Sequence, residues 1–220
     1  MRQIILDTET TGIHPKDGHR LIEIAGVEMI DRKLTDQHFH VYLNPEREIE
    51  EGAFAVHGLS NHFLLDKPKF AEVADDLMAY IKGAELIIHN APFDLGFMNH
   101  EFDLLGKDYP NIQAICKIFD TLVFARKKHP GQRNSLDALC SRYEIDNSHR
   151  ELHGALLDAK ILAEVYLAMT GGQKQLFAEE DERGAEAGHA TVTIHRVATG
   201  YCKKVVRPTA EELEAHERFF

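Results

Sequence analysis

Short apolar segments recur along residues 1–170 and predict the elements of an α/β fold. The continuous apolar run at residues 4–6 predicts a buried strand, and apolar alternation predicts strands over Leu21–Ile30 and residues 38–43. Apolar residues three and four apart predict a helix over Phe70–Ile81. Similar patterns predict further strands at 86–88 and 115–119, and further helices at 92–105, 121–128, 135–143 and 154–169.

The order of these elements predicts one domain followed by a tail. Three meandering strands and then alternating helices and strands are typical of a mixed central sheet flanked by helices. After Gly172, residues 173–188 are rich in Glu, Gly and Ala and lack apolar periodicity, which predicts a flexible linker. A β-like run at 191–197 and an acidic helical end at 209–220 are too short to fold alone. We therefore predict a domain over residues 1–172 and a flexible C-terminal tail over residues 173–220.

Composition narrows the class of protein. The chain has 25 Lys and Arg against 36 Asp and Glu, a net charge of −11, so it lacks the basic surface by which free DNA-binding proteins gain affinity. Its basic cluster, residues 126–129 with Arg133, is either a solvated helix end or a rim for a phosphate backbone. No apolar run is long enough to span a membrane, and three cysteines without a CxxC pair indicate a reducing compartment. We expect a cytoplasmic protein.

Five residues carry the candidate chemistry: Asp7, Glu9, Asp94, His153 and Asp158. Four carboxylates and one histidine are the groups needed to bind two hard divalent cations and to activate a water molecule between them. Residues two apart in a strand share a face, so both acids of the first pair point the same way. The alternative for this pair is a solvated turn.

The other two acids begin predicted helices and lie on their apolar faces. Asp94 precedes Phe97 and Met98 at spacings of three and four, and Asp158 precedes Leu162 and later apolar residues in the same way. Both carboxylates are therefore expected to point inward, where they would repel each other unless a cation lies between them. The alternative is a helix-terminal Asp stabilised by the helix dipole.

His153 approaches Asp158 only if it lies outside the helix. If both residues were helical, five positions at about 100° each would separate their side chains by about 140° around the axis. We therefore place His153 on a loop before the helix, with Gly154 giving the backbone freedom. This position suits a general base, and the alternative is a solvent-exposed loop histidine.

Together these segments resemble the DEDD superfamily of 3′–5′ exonucleases, histidine subtype. Asp7 and Glu9 match its Asp-x-Glu motif, residues 90–94 match Asn-x-x-Phe-Asp, and residues 153–158 match His-x-x-x-x-Asp. The resemblance implies a ribonuclease-H-like fold, His153 as catalytic base, and two Mg²⁺ or Mn²⁺ ions. It also implies that Asp7, Glu9, Asp94 and Asp158 are the metal-binding residues, the third of them acting through water.

Residues 56–70, 131–148 and 152–173 are similar to the epsilon family, the proofreading subunits of bacterial DNA polymerase III. This resemblance implies removal of mismatched nucleotides from a single-stranded DNA 3′ end, with release of 5′-mononucleotides. It places the substrate against Thr10, Ile13, His57 and Asn90, with Ile13 at the terminal base. It also implies that the C-terminal tail binds the polymerase alpha subunit, and it leaves open whether a small theta subunit binds.

Residues 173–177 are similar to the peptide by which bacterial replication proteins bind the sliding clamp. Leu176 and Phe177 would be apolar anchors in a groove, and the Gln173 amide would orient the peptide. The alternative is a chance pentapeptide in a linker. Two other functions stay open: a stand-alone exoribonuclease of the same superfamily, and an adaptor that mainly tethers a polymerase to a clamp.

Overall fold

A five-stranded mixed sheet forms the centre of the fold. The computed structural model describes residues 1–148, 150 and 152–171. The strands are β1 (Arg2–Thr10), β2 (Leu21–Ile30), β3 (Lys33–Tyr42), β4 (Glu85–Ile88) and β5 (Lys117–Asp120). Their order is β3-β2-β1-β4-β5: β1, β2 and β3 pair antiparallel, whereas β4 is parallel to both β1 and β5. The predicted α/β fold with a mixed sheet is confirmed.

Eight α-helices accompany the sheet in the described residues. They are α1 (Glu51–His57), α2 (Asn61–Leu64), α3 (Phe70–Ile81), α4 (Ala91–Leu104), α5 (Ile112–Ile115), α6 (Thr121–Lys128), α7 (Leu136–Tyr143) and α8 (Ala155–Thr170). Sequence analysis missed α1, α2 and α5, because helices of four to seven residues are too short to show an apolar repeat. The prediction that a strand begins at Ile115 is wrong for the same reason: Ile115 is the last residue of the short helix α5, and β5 begins at Lys117.

Strand β1 separates two apolar cores. Ile4 and Leu6 pack with residues of α3 and α4 on one face, whereas Ile5 packs with Ala159 and Leu162 of α8 on the other. Because side chains alternate along a strand, Asp7 and Glu9 share the α8 face with Ile5. The alternation therefore directs two of the candidate acids towards the start of α8.

Several predictions fall outside the described residues. These are the linker, the β-like run at 191–197, the acidic helical end at 209–220, and the clamp-binding candidates Gln173, Leu176 and Phe177. The flexible tail and the domain boundary at residue 172 stay predictions. Within the part of the chain that the structure describes, none of the helices is both long and apolar enough to cross a membrane.

Candidate active site

The end of β1 and the first turn of α8 bring the acidic residues together. Asp158 lies one turn into α8 and is buried, and Glu9 is buried at the end of β1. Ligand atoms of Glu9, His153 and Asp158 all lie within 4.8 Å of one another. Three of the five candidate residues therefore converge tightly, although they are up to 149 positions apart in the chain.

Asp94 reaches the site from the other face of the sheet. It lies in the first turn of α4, is 3% exposed, and accepts a 2.7 Å hydrogen bond from the Thr8 hydroxyl. Thr8 was not expected here, because its position between Asp7 and Glu9 turns its side chain to the opposite face of β1. The two faces of the sheet meet at the end of β1, so the charge of Asp94 still raises the pKa of Asp7.

The crowded carboxylates disfavour one another's charged forms. Burial, followed by the charges of Asp94, Glu9 and Asp158, raises the pKa of Asp7 well above its usual value. Burial and the charge of Glu23 are the largest causes that raise the pKa of Glu9 to about 8. Burial also raises the pKa of Asp94 to about 7, against the lowering effect of the Thr8 hydrogen bond. Such a cluster has a strong electrostatic preference for cations.

His153 precedes α8, where the spacing of the third motif placed it. Its backbone N–H donates to the Val56 carbonyl at 3.0 Å, so this contact attaches the residue to α1. Burial, then the Arg150 charge, lowers the pKa of the ring. A neutral imidazole at neutral pH is the form that accepts a proton. Gly154 is extended, at φ −154°, a conformation open to any residue, so the expected special role of its freedom is wrong.

Arg150 is a member of the site that sequence analysis missed. Its guanidinium donates from Nε and Nη2 to the two oxygens of Asp158, at 2.6 and 2.7 Å. The same Nη2 lies 3.0 Å from Nδ1 of His153. The sequence does show a basic residue three positions before the histidine of the third motif. A basic residue is ordinary on a loop, however, so this position did not indicate a role in the site.

An apolar pocket of about 300 Å³ adjoins Glu9 and contains three of the four predicted substrate residues. Thr10, Ile13 and His57 line it, together with Val56 and Phe93. The side chain of Ile13 is 67% exposed, so it offers apolar surface at the edge of this pocket. Thr10 is buried and donates its hydroxyl to the Gly12 carbonyl at 2.6 Å.

The His57 ring has an unused polar atom in this pocket. The ring is buried, and its Nδ1 accepts a hydrogen bond from the Leu59 N–H at 3.0 Å. Its Nε2 has no hydrogen-bond partner among the described residues. Burial lowers the pKa of the ring, and a hydrogen-bond effect of the Thr10 backbone opposes that shift. A neutral ring whose Nδ1 accepts a hydrogen bond carries its proton on Nε2, so this atom can donate to a bound molecule.

Asn90 lies in a different cleft from the other three substrate candidates. It has a left-handed backbone, at φ 69°, and an exposed side chain at the start of α4. It lines a polar cleft of about 520 Å³ together with His89, Arg126, Arg150 and His153. The candidate catalytic residues therefore lie between two concavities, an apolar one beside Glu9 and a polar one beside Asn90.

The basic cluster and Gly12 each contact a neighbouring part of the fold. Arg126 does line the polar cleft, but Lys128 donates to the Met169 carbonyl, so the cluster is not a continuous rim. At Gly12, a Cβ atom would lie 2.3 Å from the His19 ring, so the glycine makes room for that side chain.

Comparison with known proteins identifies the family. The sequence profile of the family described as "Exonuclease" matches residues 4–166. The chain is 59% identical to DNA polymerase III subunit epsilon of Escherichia coli (strain K12), an alignment that covers 98% of this chain and 90% of the relative. It is 49% identical to the subunit of that name from Rickettsia typhi (strain ATCC VR-144 / Wilmington), over 100% of this chain and 95% of the relative. The chain belongs to the exonuclease family and, within it, to the DNA polymerase III epsilon subunits.

Solved structures support the same fold. Exonuclease X in complex with 5′ overhanging duplex DNA has a TM-score of 0.59 and 25% identity, over 80% of this chain and 98% of that one. The nuclease domain of 3′hExo, a DEDDh family member bound to rAMP, has a TM-score of 0.63 and 19% identity, over 76% of this chain and 90% of that one. The predicted ribonuclease-H-like fold is confirmed, and so is the predicted function of a 3′–5′ proofreading exonuclease.

Proposed function

We propose that this site removes the terminal nucleotide from a single-stranded DNA 3′ end and releases a 5′-mononucleotide. The observation that carries the proposal is the position of the Glu9, His153 and Asp158 ligand atoms directly beside an apolar pocket. Metal-assisted phosphodiester hydrolysis uses a cation-binding group and a general base, whereas selection of the chain end uses a slot for one nucleobase. The two parts adjoin at Glu9.

The donor set fits hard divalent cations. Carboxylate oxygens are the ligands that Mg²⁺ and Mn²⁺ prefer, and beside burial the charges of neighbouring carboxylates raise the pKa values of Asp7 and Glu9. We assign two such cations to Asp7, Glu9 and Asp158, with Asp94 supporting the site. When bound, they supply charge stabilisation for the scissile phosphate and lower the pKa of water.

His153 is the group we assign as general base. Its ring is 43% exposed, which leaves a face open to a water molecule, and its lowered pKa keeps it neutral at neutral pH. The contact of its backbone with Val56 links it to the apolar pocket, because Val56 lines that pocket. Base and pocket are therefore positioned by the same short segment.

The apolar pocket suits the terminal nucleotide. Ile13, Val56 and Phe93 offer apolar surface to a base, and the free Nε2 of His57 offers one polar contact. We assign Thr10 to the same nucleotide and Asn90 to the strand in the polar cleft. A mismatched end separates from its template more readily than a paired one, so a site that accepts only unpaired strand removes errors preferentially.

We place this activity in the cytoplasm, as part of the replicative polymerase. The relatives named DNA polymerase III subunit epsilon support the assembly. The proposed contacts are the alpha subunit through the tail and the sliding clamp through Gln173, Leu176 and Phe177, with theta as a further subunit to test.

Release of mononucleotides from matched single-stranded DNA and RNA oligomers tests the function. With Mg²⁺, we expect digestion of DNA in strong preference to RNA, and loss of activity in Asp7→Ala. A preference for RNA would move the function to RNA processing, and no activity on either would favour the tethering role. Equal excision rates from paired and mispaired ends would count against proofreading.

A further inference from the structure

The side chain of Arg150 lies among the catalytic residues and is only 7% exposed. Two of its nitrogens form a fork with both oxygens of Asp158, and a third donates to Asp137 at 2.6 Å. Nη2 also lies 3.0 Å from Nδ1 of His153. One guanidinium thus joins a buried acid, an exposed acid on α7 and the candidate base.

The guanidinium compensates the negative charge of the site. Arg150 is the cation that lowers the pKa of both Asp7 and Glu9, against burial and the neighbouring carboxylates, which raise it. Arginine keeps its charge at any ordinary pH, so this compensation does not depend on protonation. A buried cluster of acids is costly unless a cation accompanies it.

The same contacts compete with the proposed cation site. The fork uses both oxygens of Asp158, and its Nη2 uses Nδ1 of His153. These are two of the three residues whose ligand atoms lie within 4.8 Å of one another. A divalent cation and the guanidinium therefore need overlapping sets of atoms.

We propose that Arg150 is a positioning residue that holds Asp158 and His153 before divalent cations bind and releases Asp158 to them. The inference rests on the proposed cation site of the exonuclease. Asp137, whose side chain is 58% exposed, retains the guanidinium after release. Arg150 therefore lowers the apparent affinity for metal, because only protein in which Asp158 is free binds the cations.

The chain offers a matched control for the loss of one positive charge. Arg126 lines the same polar cleft as Arg150, but it makes no ion pair among the described residues. Substituting either arginine by glutamine removes one charge beside the site. Only the substitution at position 150 also removes the fork on Asp158.

The experiment is Mn²⁺ binding to the full chain without DNA, followed by electron paramagnetic resonance. We expect Arg150→Gln to bind Mn²⁺ roughly tenfold more tightly than wild type, and Arg126→Gln to stay within about twofold. We also expect Arg150→Gln to have a lower Tm than wild type in EDTA. When Mn²⁺ is added, its Tm should rise by more than that of wild type. Arg150→Lys keeps the charge without the fork and is expected to show a smaller increase in affinity.

Equal or weaker Mn²⁺ affinity in Arg150→Gln, compared with Arg126→Gln, would overturn the inference. If Arg150→Gln does not fold in EDTA, Arg150→Lys decides instead, and an affinity equal to wild type overturns it. Failure of the proposed function is distinguishable, because it appears as wild-type protein that binds Mn²⁺ and digests no DNA. The affinity comparison needs no nuclease activity.

Discussion

The Thr8 hydroxyl donates a 2.7 Å hydrogen bond to Oδ1 of Asp94, and it joins β1 to the first turn of α4. Both groups are buried, and the bond opposes the effect of burial, which on balance raises the pKa of Asp94 to about 7. The contact therefore keeps more of Asp94 in the charged form. It ties a candidate metal-supporting acid to the strand that carries two others.

Loss of this hydroxyl should move the pH dependence of catalysis. In Thr8→Val the pKa of Asp94 rises further, so less of the carboxylate is charged at neutral pH. We expect kcat/KM at pH 7 and fixed Mg²⁺ to fall roughly tenfold, with the acid limb of the profile displaced to higher pH. Thr8→Ser keeps the hydroxyl and serves as the control. An acid limb that does not move in Thr8→Val would contradict the role of the bond.

Glu9 should make the stability of the protein in EDTA depend on pH. Its pKa is raised from 4.5 to about 8 in the folded state, so the folded protein binds more protons than the unfolded chain between these values. The free energy of unfolding therefore falls as pH rises through this window. We expect Tm in EDTA to decline over that range, and to decline less in Glu9→Gln.

The exposed Glu51→Gln substitution is the control for the Glu9 measurement. It removes a carboxylate of the same kind outside the acid cluster, and its decline in Tm should match that of wild type. Parallel declines in Glu9→Gln and wild type would show that Glu9 does not carry the effect.

His153→Ala should separate catalysis from metal binding. Loss of a general base is expected to lower kcat by about 10²–10⁴-fold, while the carboxylates retain most of the Mn²⁺ affinity. Single-turnover rates and Mn²⁺ titrations measure the two quantities. The exposed His38→Ala substitution on β3 is the control. Lost metal affinity with unchanged turnover at saturating metal would refute the assignment.

Ile13→Ala should weaken binding of the terminal nucleotide without unfolding the protein. The side chain is 67% exposed, so its removal leaves no buried cavity, whereas a base that stacks on it loses apolar contact. We expect KM for single-stranded DNA to rise roughly tenfold. Leu65→Ala is a matched control, because Leu65 is equally exposed and lies outside the pocket. Similar KM values for the two variants would remove Ile13 from the substrate site.

The clamp-binding peptide is testable by exchange of single side chains. Leu176→Ala and Phe177→Ala each remove an apolar anchor, and we expect the Kd for the sliding clamp to rise roughly tenfold or more. Lys174→Ala changes an intervening position of the same pentapeptide and should leave Kd near the wild-type value. Surface plasmon resonance with immobilised clamp measures the Kd of all three variants. If neither Leu176→Ala nor Phe177→Ala changes the Kd, the peptide is not the clamp-binding segment.

The sequence by itself determined the periodic elements and the membership of the acid cluster. The bounds of Phe70–Ile81 and Thr121–Lys128 follow from apolar spacing, because helices of two or more turns repeat their buried positions. The alternation of β1 placed Asp7 and Glu9 on one face, and helix geometry placed His153 before α8. These are local relationships, which depend on a few neighbouring residues.

Tertiary structure alone decided how those residues are supported. Thr8 reaches Asp94 because α4 packs on the face of β1 opposite to α8, which no local pattern specifies. Asn90 and His57 belong to different concavities because His57 is the last residue of α1, whereas Asn90 immediately precedes α4. Arg150 lies in the site because its guanidinium pairs with Asp158 of α8 and Asp137 of α7. Such contacts join segments far apart in the chain, and their geometry follows from the packing of whole elements.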